Sequence, residues 1–219
     1  MRYLQRCHTN RSFVHGDATS TPFEDNQFDL AIAHSLMMHL PEPGKALAEM
    51  IRVTRDGGLV ITGDASRNAI NALIHVHETE EQEHTPLALF QAMNANIRQR
   101  TGVDYNIGMK MPVLMHRAGL RNVQARISDA VHLLFPPLDT PEKERVFKAV
   151  CDDGLGAAPT DEKSFAGALA ALTARGVAED EAARELRREM KNDYRHRGRG
   201  YHIVQPGLIT ISFGTVKKT

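Results

Sequence analysis

Two short apolar segments separated by one amphipathic helix constrain the fold of this chain most strongly. Residues 28–33 and 58–63 are continuous apolar runs, which are typical of strands buried on both faces of a parallel sheet. Residues 44–54 place apolar side chains at the i, i+3 and i+4 spacing of a helix with one buried face. Pro41 and Pro43 precede this helix, as expected near a helix start. Strand, helix and strand at this spacing predict a βαβ unit with a right-handed crossover, and therefore an α/β protein.

The rest of the chain is predicted to be mostly helical. Further strands are predicted over residues 12–15, 121–127 and 208–213, because these stretches are short, apolar or alternating. Helical segments are predicted over residues 66–103 with a break near Pro86, and over 106–118, 140–151, 161–175 and 178–193.

Composition excludes several classes of protein. The chain of 219 residues has 42% hydrophobic residues, which is too many for a disordered chain, and 27 basic residues balance 27 acidic ones. This balance argues against a strongly basic nucleic-acid binder. Cys7 and Cys151 are the only cysteines, so no disulfide framework or cysteine zinc cluster is expected. The apolar runs are too short to span a bilayer, and residues 1–15 lack a signal-peptide hydrophobic region, so we expect a cytoplasmic protein without a membrane or nucleic-acid partner.

Histidines near residues 75–84 raise the alternative of a metal site. His75 and His77 would point in different directions on a helix, and no His-Glu-x-x-His pattern is present. We therefore predict a solvated acidic helix face, which includes His84, and no metal site.

A longer block resembles a known family. Its segments read Phe-Val-His-Gly-Asp-Ala at 13–18, Thr-Pro-Phe-Glu-Asp-Asn-Gln-Phe-Asp at 21–29, Leu-Met-Met-His-Leu-Pro-Glu-Pro at 36–43, Ala-Leu-Ala-Glu-Met-Ile-Arg-Val at 46–53 and Asp-Gly-Gly-Leu-Val-Ile at 56–61. In order and spacing the block resembles the middle of class I S-adenosylmethionine-dependent methyltransferases, especially the small-molecule enzymes of ubiquinone biosynthesis and natural products. Residues 209–214 are similar to the last strand of that family. The resemblance implies a Rossmann-like methyltransferase sheet with helical lid insertions.

The resemblance also implies site residues at the carboxyl edge of the sheet. Five residues would bind S-adenosylmethionine, the first two beside its adenine and the last three beside its methionine portion: Asp17, Ala18, His34, Ser35 and Leu36. His39 would face the substrate and act as a catalytic base if the acceptor is a hydroxyl or a phenol. From the residues alone, Asp17 also fits a turn cap, His34 and Ser35 fit ordinary loop packing, and His39 fits a structural hydrogen bond.

The chain departs from the family at its beginning. The family starts with a strand, a Gly-x-Gly-x-Gly loop, a helix and a second strand, whereas no glycine precedes Gly16 here. In the family's strand order, 3-2-1-4-5-7-6, the two missing strands lie between those predicted at residues 12–15 and 28–33, so the latter should become an exposed apolar edge. We expect a truncated or misassigned amino terminus. The alternatives are a sheet completed across a homodimer and a relative that no longer uses the cofactor.

These observations define the expected organisation and function. We expect one methyltransferase-like domain, with an amino-terminally incomplete sheet and two lid insertions, and methyl transfer from S-adenosylmethionine to a small organic acceptor. A cofactor-free binding or accessory protein, or a truncated inactive relative, is the alternative. The expected parts of the domain (1–219) are a sheet core over residues 1–64, 119–129 and 206–219, and a helical lid over residues 65–118 and 130–205.

Overall fold

The computed structural model describes residues 12–77, 87–151, 159, 161–192 and 197–218. The strands, in chain order, are β1 (Phe28–His34), β2 (Thr54–Ala65), β3 (His75–Val76), β4 (Arg121–Ile127), β5 (Val131–Leu134), β6 (Ile203–Pro206) and β7 (Ile209–Thr215). The helices are α1 (Pro43–Val53), α2 (Arg67–Leu73), α3 (Leu87–Thr101), α4 (Met111–Arg117), α5 (Pro141–Val150), α6 (Glu162–Thr173) and α7 (Glu179–Asn192).

The main sheet has four strands in the order β1-β2-β7-β4. β1 and β2 run parallel, and β7 runs antiparallel to both of its neighbours. The family order 3-2-1-4-5-7-6 ends in four strands, 4-5-7-6. The observed order β1-β2-β7-β4 matches these four strands. The predicted α/β class, the parallel strand pair and the connecting helix are therefore confirmed.

Helix α1 forms where its sequence predicts. Pro43 occupies its first turn, where the missing N–H group costs nothing, and Ala46, Leu47 and Val53 are buried on one face. Ala46 and Leu47 join Val60 of β2 in the main hydrophobic core, which also contains methionines of α4 and of the turn after β1. The core therefore lies on the side of the sheet where α1 packs.

Apolar side chains on the other side of β1 are exposed. Strand alternation places Leu30 and Ile32 on the face opposite Ala33, and their exposed fractions are 44% and 62%. Among the described residues β1 pairs with β2 alone, so its second edge has no strand partner there. The predicted exposed apolar edge is thus present.

The strand predicted at residues 12–15 is wrong. This stretch has no regular secondary structure, and Phe13 and Val14 are 90% and 52% exposed. Nearby, Asp17 and Ser20 form one isolated antiparallel bridge. An apolar run becomes a strand only when a neighbouring strand takes up its backbone hydrogen bonds, and no described residue does so here.

The segments predicted to form a wholly helical lid contain strands as well as helices. The lid segments contain a second, three-stranded antiparallel sheet of order β3-β6-β5, which places His75 on a strand rather than on the predicted helix. Leu134, Phe147, Val150 and Ile203 fill its core together with Val76. The predicted helices α5, α6 and α7 are confirmed, whereas the helix predicted over 106–118 begins at Met111 after a 3₁₀ turn at Gly108–Lys110.

The division of the chain into one domain with a sheet core and a lid stays a prediction. In the part of the chain that the structure describes, each helix is too short or too polar to cross a lipid bilayer.

Candidate functional site

The carboxyl ends of the two parallel strands lie side by side. The pairing of β1 with β2 places His34 opposite Gly63. Asp64, the residue after Gly63 in β2, therefore lies at the same edge of the sheet as His34. In open α/β sheets this edge is where ligands bind. The structure therefore brings the predicted residue His34 next to a carboxylate that sequence reasoning did not select.

Ser35 turns the chain immediately after β1. Its φ of 50° lies in the left-handed region, which non-glycine residues rarely adopt, and its N–H donates to the Gly63 carbonyl over 2.7 Å. The Ser35 hydroxyl lies 3.3 Å from Nδ1 of His34. This strained turn directs Leu36 and the 3₁₀ turn at Met37–His39 back over the sheet edge.

Asp64 holds that 3₁₀ turn. Its side chain is fully buried, and Oδ1 accepts a hydrogen bond from the Met38 N–H group at 3.1 Å. Burial raises the pKa of the Asp64 carboxyl, an effect opposed by the N–H groups of Met38 and Met37 and by the nearby His34 and His39. Oδ2 has no hydrogen-bond partner among the described residues. Asp64 thus positions the turn that carries His39.

One signal in the sequence could have identified Asp64. It ends an apolar run of the sequence in a Gly-Asp pair, as Asp17 does in the block at 13–18. Such a pair predicts a carboxylate at the end of a strand, and in the structure this holds for Asp64 but not for Asp17.

His39 is exposed at the end of the 3₁₀ turn. Its ring meets the ring of Tyr105 edge-to-face, with 5.9 Å between the centroids. The guanidinium of Arg67 lies 4.1 Å above the same tyrosine ring. Tyr105 therefore links His39 to the first residue of α2, which sequence reasoning did not anticipate.

Asp17 and Ala18 lie in a turn rather than at the end of a strand. Asp17 is exposed, and its Oδ1 accepts hydrogen bonds from the N–H and the hydroxyl of Thr19, each at 2.8 Å. Both bonds lower the pKa of Asp17, and the bond from the Thr19 N–H group has the larger effect. No described residue donates a hydrogen bond to Oδ2, which can therefore accept one from a ligand. Ala18 packs against the main core.

A buried carboxylate fastens the loop after Ala18 to α1. Oε1 of Glu49 accepts hydrogen bonds from the N–H and hydroxyl of Thr21 at 2.7 and 2.6 Å, and Arg52 donates to both Glu49 oxygens. The bonds from Arg52 and then Thr21 lower the pKa of Glu49 to about 2. Arg52 also donates to the Phe23 carbonyl at 2.8 Å. This network holds the turn that carries Asp17 beside the sheet.

An apolar groove of about 290 Å³ runs between this loop, β1 and α1. Ala18 and Leu36 are the two predicted site residues that line it, together with Ala33, Met50 and Val53 among others. The other four predicted residues do not line the groove: Asp17, His34, Ser35 and His39. Two clusters result, one around the groove and one around Asp64.

The residues present fit part of the predicted cofactor. A flat, largely apolar purine matches the apolar groove wall, and the available oxygen of Asp17 matches an adenine amino group. For metals, the described residues contain no group of three or more histidine, cysteine or acidic side chains placed to bind an ion. The rings of His75 and His77 lie 6.2 Å apart, and His84 lies outside the described residues.

Comparisons with known proteins agree with the resemblance of the amino-terminal block. The family model described as a methyltransferase domain matches residues 1–62. A demethylmenaquinone methyltransferase of Renibacterium salmoninarum is 46% identical over 54 residues, which cover 25% of this chain and 23% of that relative. A demethylmenaquinone methyltransferase of Staphylococcus haemolyticus is 28% identical over 121 residues, which cover 53% of this chain and 51% of that relative.

The matched segments span between about a quarter and about a half of these curated relatives. Among solved structures, a methyltransferase-like protein from Bacillus halodurans aligns with 94% of this chain and 78% of its own, at 18% identity and a TM-score of 0.43. A likeness at that level adds nothing to the assignment, which depends on the sequence matches. These sequence matches confirm that the amino-terminal block resembles S-adenosylmethionine-dependent methyltransferases of the small-molecule type, with the family model matching residues 1–62.

Proposed function

We propose that this chain takes part in methyl transfer from S-adenosylmethionine to a small organic acceptor. One observation carries the proposal: the residues matched by the methyltransferase family include β1 and the turn that follows it at the carboxyl edge of the sheet. Two relatives are named demethylmenaquinone methyltransferases. Their names support an apolar, ring-containing molecule as the methyl acceptor of this chain.

Five residues are proposed to hold the cofactor. Asp17 accepts a hydrogen bond from the adenine amino group through Oδ2, and Ala18 and Leu36 provide apolar contact in the groove. His34 and Ser35 lie beside the methionine portion, at the end of β1. When bound, the cofactor supplies a methyl group activated on a sulfonium, so the main task of the protein is to align the acceptor.

His39 is proposed as the base for a hydroxyl or phenol acceptor. The side chain is exposed at the sheet edge, and its ring orientation is supported by Tyr105. The imidazole of His39 would accept the proton of such an acceptor, and the cofactor, when bound, would supply the methyl group. Asp64 contributes indirectly, because its bond to Met38 sets the position of the turn that carries His39.

A second function is supported by the exposed edge of β1. Leu30 and Ile32 expose apolar surface beside backbone groups that lack a strand partner among the described residues. We propose that a second copy of this chain covers this edge. Because Leu30 and Ile32 also line the apolar groove, this pairing suits a methyltransferase-like accessory subunit.

The proposed partner of the site is a small molecule rather than nucleic acid or a membrane, as the balance of 27 basic and 27 acidic residues supports. A cytoplasmic location is proposed from the presence of only two cysteines in the sequence, since chains that rely on disulfides in oxidising compartments are richer in cysteine.

Titration calorimetry with S-adenosylmethionine tests the cofactor proposal. We expect saturable binding that is weakened about tenfold in Asp17→Asn, because the amide presents one acceptor fewer and no charge to the adenine. Asp29→Asn is the matched control, since Asp29 is exposed at the other end of β1 and pairs with Arg55. Absence of binding at millimolar cofactor would refute the proposal for this chain and leave the accessory function.

A further inference from the structure

A second cavity, of about 550 Å³, lies in the lid and away from the apolar groove. It is open to solvent and is bordered by α2, α3, the segment before α4 and the turn after α6. We name it the amide cavity, after the residues that line it: Asn68, Gln91, Asn94, Ala95, Arg98, Gln99, Asp104, Asn106, Lys110 and Arg175. Its lining shares no residue with the groove or with the proposed cofactor site.

A chain of hydrogen bonds orients the amides of this cavity. Asn94 donates from Nδ2 to Oδ1 of Asn68 at 2.7 Å, and the Asn68 N–H group donates to Oδ1 of Asn106 at 2.8 Å. The Asn106 N–H group in turn donates to Oδ1 of Asp104 at 3.0 Å. Because the oxygens of Asn68 and Asn106 already accept bonds, these two side chains offer their NH₂ groups to a ligand.

The charges of the cavity are predominantly positive. Arg98, Lys110 and Arg175 face a single carboxylate, that of Asp104, so the lining carries a net charge of +2. Asp104 is only 7% exposed and is neutralised by Lys110 and by Arg98, whose Nε lies 3.4 Å from Oδ2. The cavity therefore presents donors without an unpaired anionic group.

Arg175 places a positively charged guanidinium at the cavity wall. One terminal nitrogen donates to Oε1 of Gln99 at 2.8 Å, which fixes the guanidinium at the cavity wall. Its Nε is buried and has no hydrogen-bond partner among the described residues. Because Nε is closed to solvent, the donors that Arg175 offers to a ligand are those of its terminal nitrogens at the cavity wall.

We propose that the amide cavity binds a small organic anion with a carboxylate or phosphate group. Guanidinium and amide donors match both groups, and charge-assisted bonds to them are stronger than neutral ones. A volume of this size falls in the range of small-molecule pockets, which leaves room for the organic part of the ligand. The oxygen of Asn94 would accept a bond from a hydroxyl on that part. This proposal is independent of methyl transfer.

Titration calorimetry of the full chain with citrate and with inorganic phosphate, at constant ionic strength set by chloride, tests the proposal. We expect saturable binding of at least one probe, and the probe that binds identifies the group as carboxylate or phosphate. Arg175→Gln should weaken binding about tenfold or more, because it removes a charge-assisted donor. Arg55→Gln, at an exposed pair with Asp29 on the main sheet, is the matched control and should change affinity less than about twofold.

A second pair of variants covers the case in which Arg175→Gln fails to fold. Gln91→Glu places a negative charge at the exposed rim of the cavity without changing side-chain size, and it should also weaken binding. Gln124→Glu on β4 is its control. The proposal is overturned if neither probe saturates at millimolar concentration, or if control and cavity variants lose affinity equally.

Discussion

The tightest backbone approach at the candidate site makes Gly108 a sensitive position. Gly108 begins the 3₁₀ turn that packs against the end of β2, and a Cβ added to it would lie 2.2 Å from the Asp64 carbonyl oxygen and 2.9 Å from that of Ala65. Both neighbours are backbone atoms, so neither can rotate away. The N–H group of the next residue, Met109, donates to the Ser66 hydroxyl at 3.1 Å and fixes the turn in place.

We predict that Gly108→Ala destabilises the protein by about 3 kcal/mol. Relief of the contact requires a backbone shift of about 1 Å, and such overpacking costs about 1–3 kcal/mol. The shift also breaks the bond between Met109 and Ser66, worth about 1 kcal/mol, while the lower entropy of the unfolded chain returns about 0.5 kcal/mol. For a chain of this size the change corresponds to a fall in Tm of about 10 °C.

Gly167→Ala is the matched control. Gly167 lies inside α6 and a Cβ there would meet nothing within 4 Å, so alanine should stabilise the helix by about 1 kcal/mol. The two variants are compared by urea unfolding followed by circular dichroism. The reasoning is refuted if Gly108→Ala is as stable as the wild type, or if the two substitutions shift the free energy of unfolding in the same direction.

Three further predictions concern the site and its surroundings. Glu49→Gln should cost about 2 kcal/mol at neutral pH. The pKa of Glu49 is lowered to about 2 from 4.5, so the wild-type advantage is full above pH 4.5 and disappears as pH falls toward 2, measurable by urea unfolding across that range. Asp64→Asn keeps the hydrogen-bond acceptor for Met38 and removes a buried charge. Because the pKa of Asp64 is raised, the wild type should lose stability relative to the variant as pH rises from 3.8 through the raised pKa. A difference in stability that does not change with pH would contradict this. Ile32→Lys at the exposed edge should shift sedimentation from dimer toward monomer, and a monomeric wild type would contradict the proposed pairing of two copies.

Local periodicity predicted the elements whose signal lies within one segment. The boundaries of β4 were predicted at residues 121–127 and agree with the structure. Those of α1 differ by one residue from the prediction, and those of β7 differ by one residue at its start and two at its end. Each of these elements shows its apolar spacing without reference to a partner, because the helix and strand periods are properties of the backbone itself. The methyltransferase resemblance was likewise predictable, because it depends only on the order and spacing of residues along the matched block.

The tertiary structure decided the features that depend on residues distant in the chain. His75 became part of a strand because it pairs with Val204, and the apolar residues 12–15 did not become one because no described strand pairs with them. Asp64 was revealed as a positioning residue only by its burial and its bond to the turn after β1.

By itself the sequence determined the α/β class, the parallel pair around α1 and the methyltransferase resemblance of residues 1–62. Only tertiary packing brought Asn68 and Arg175 to the wall of one cavity and placed Asp64 beneath the turn that carries His39. The physical reason is that periodicity is encoded by neighbours within one element. Hydrogen-bond partners, burial and cavity walls depend instead on how separate elements pack, which no local pattern specifies.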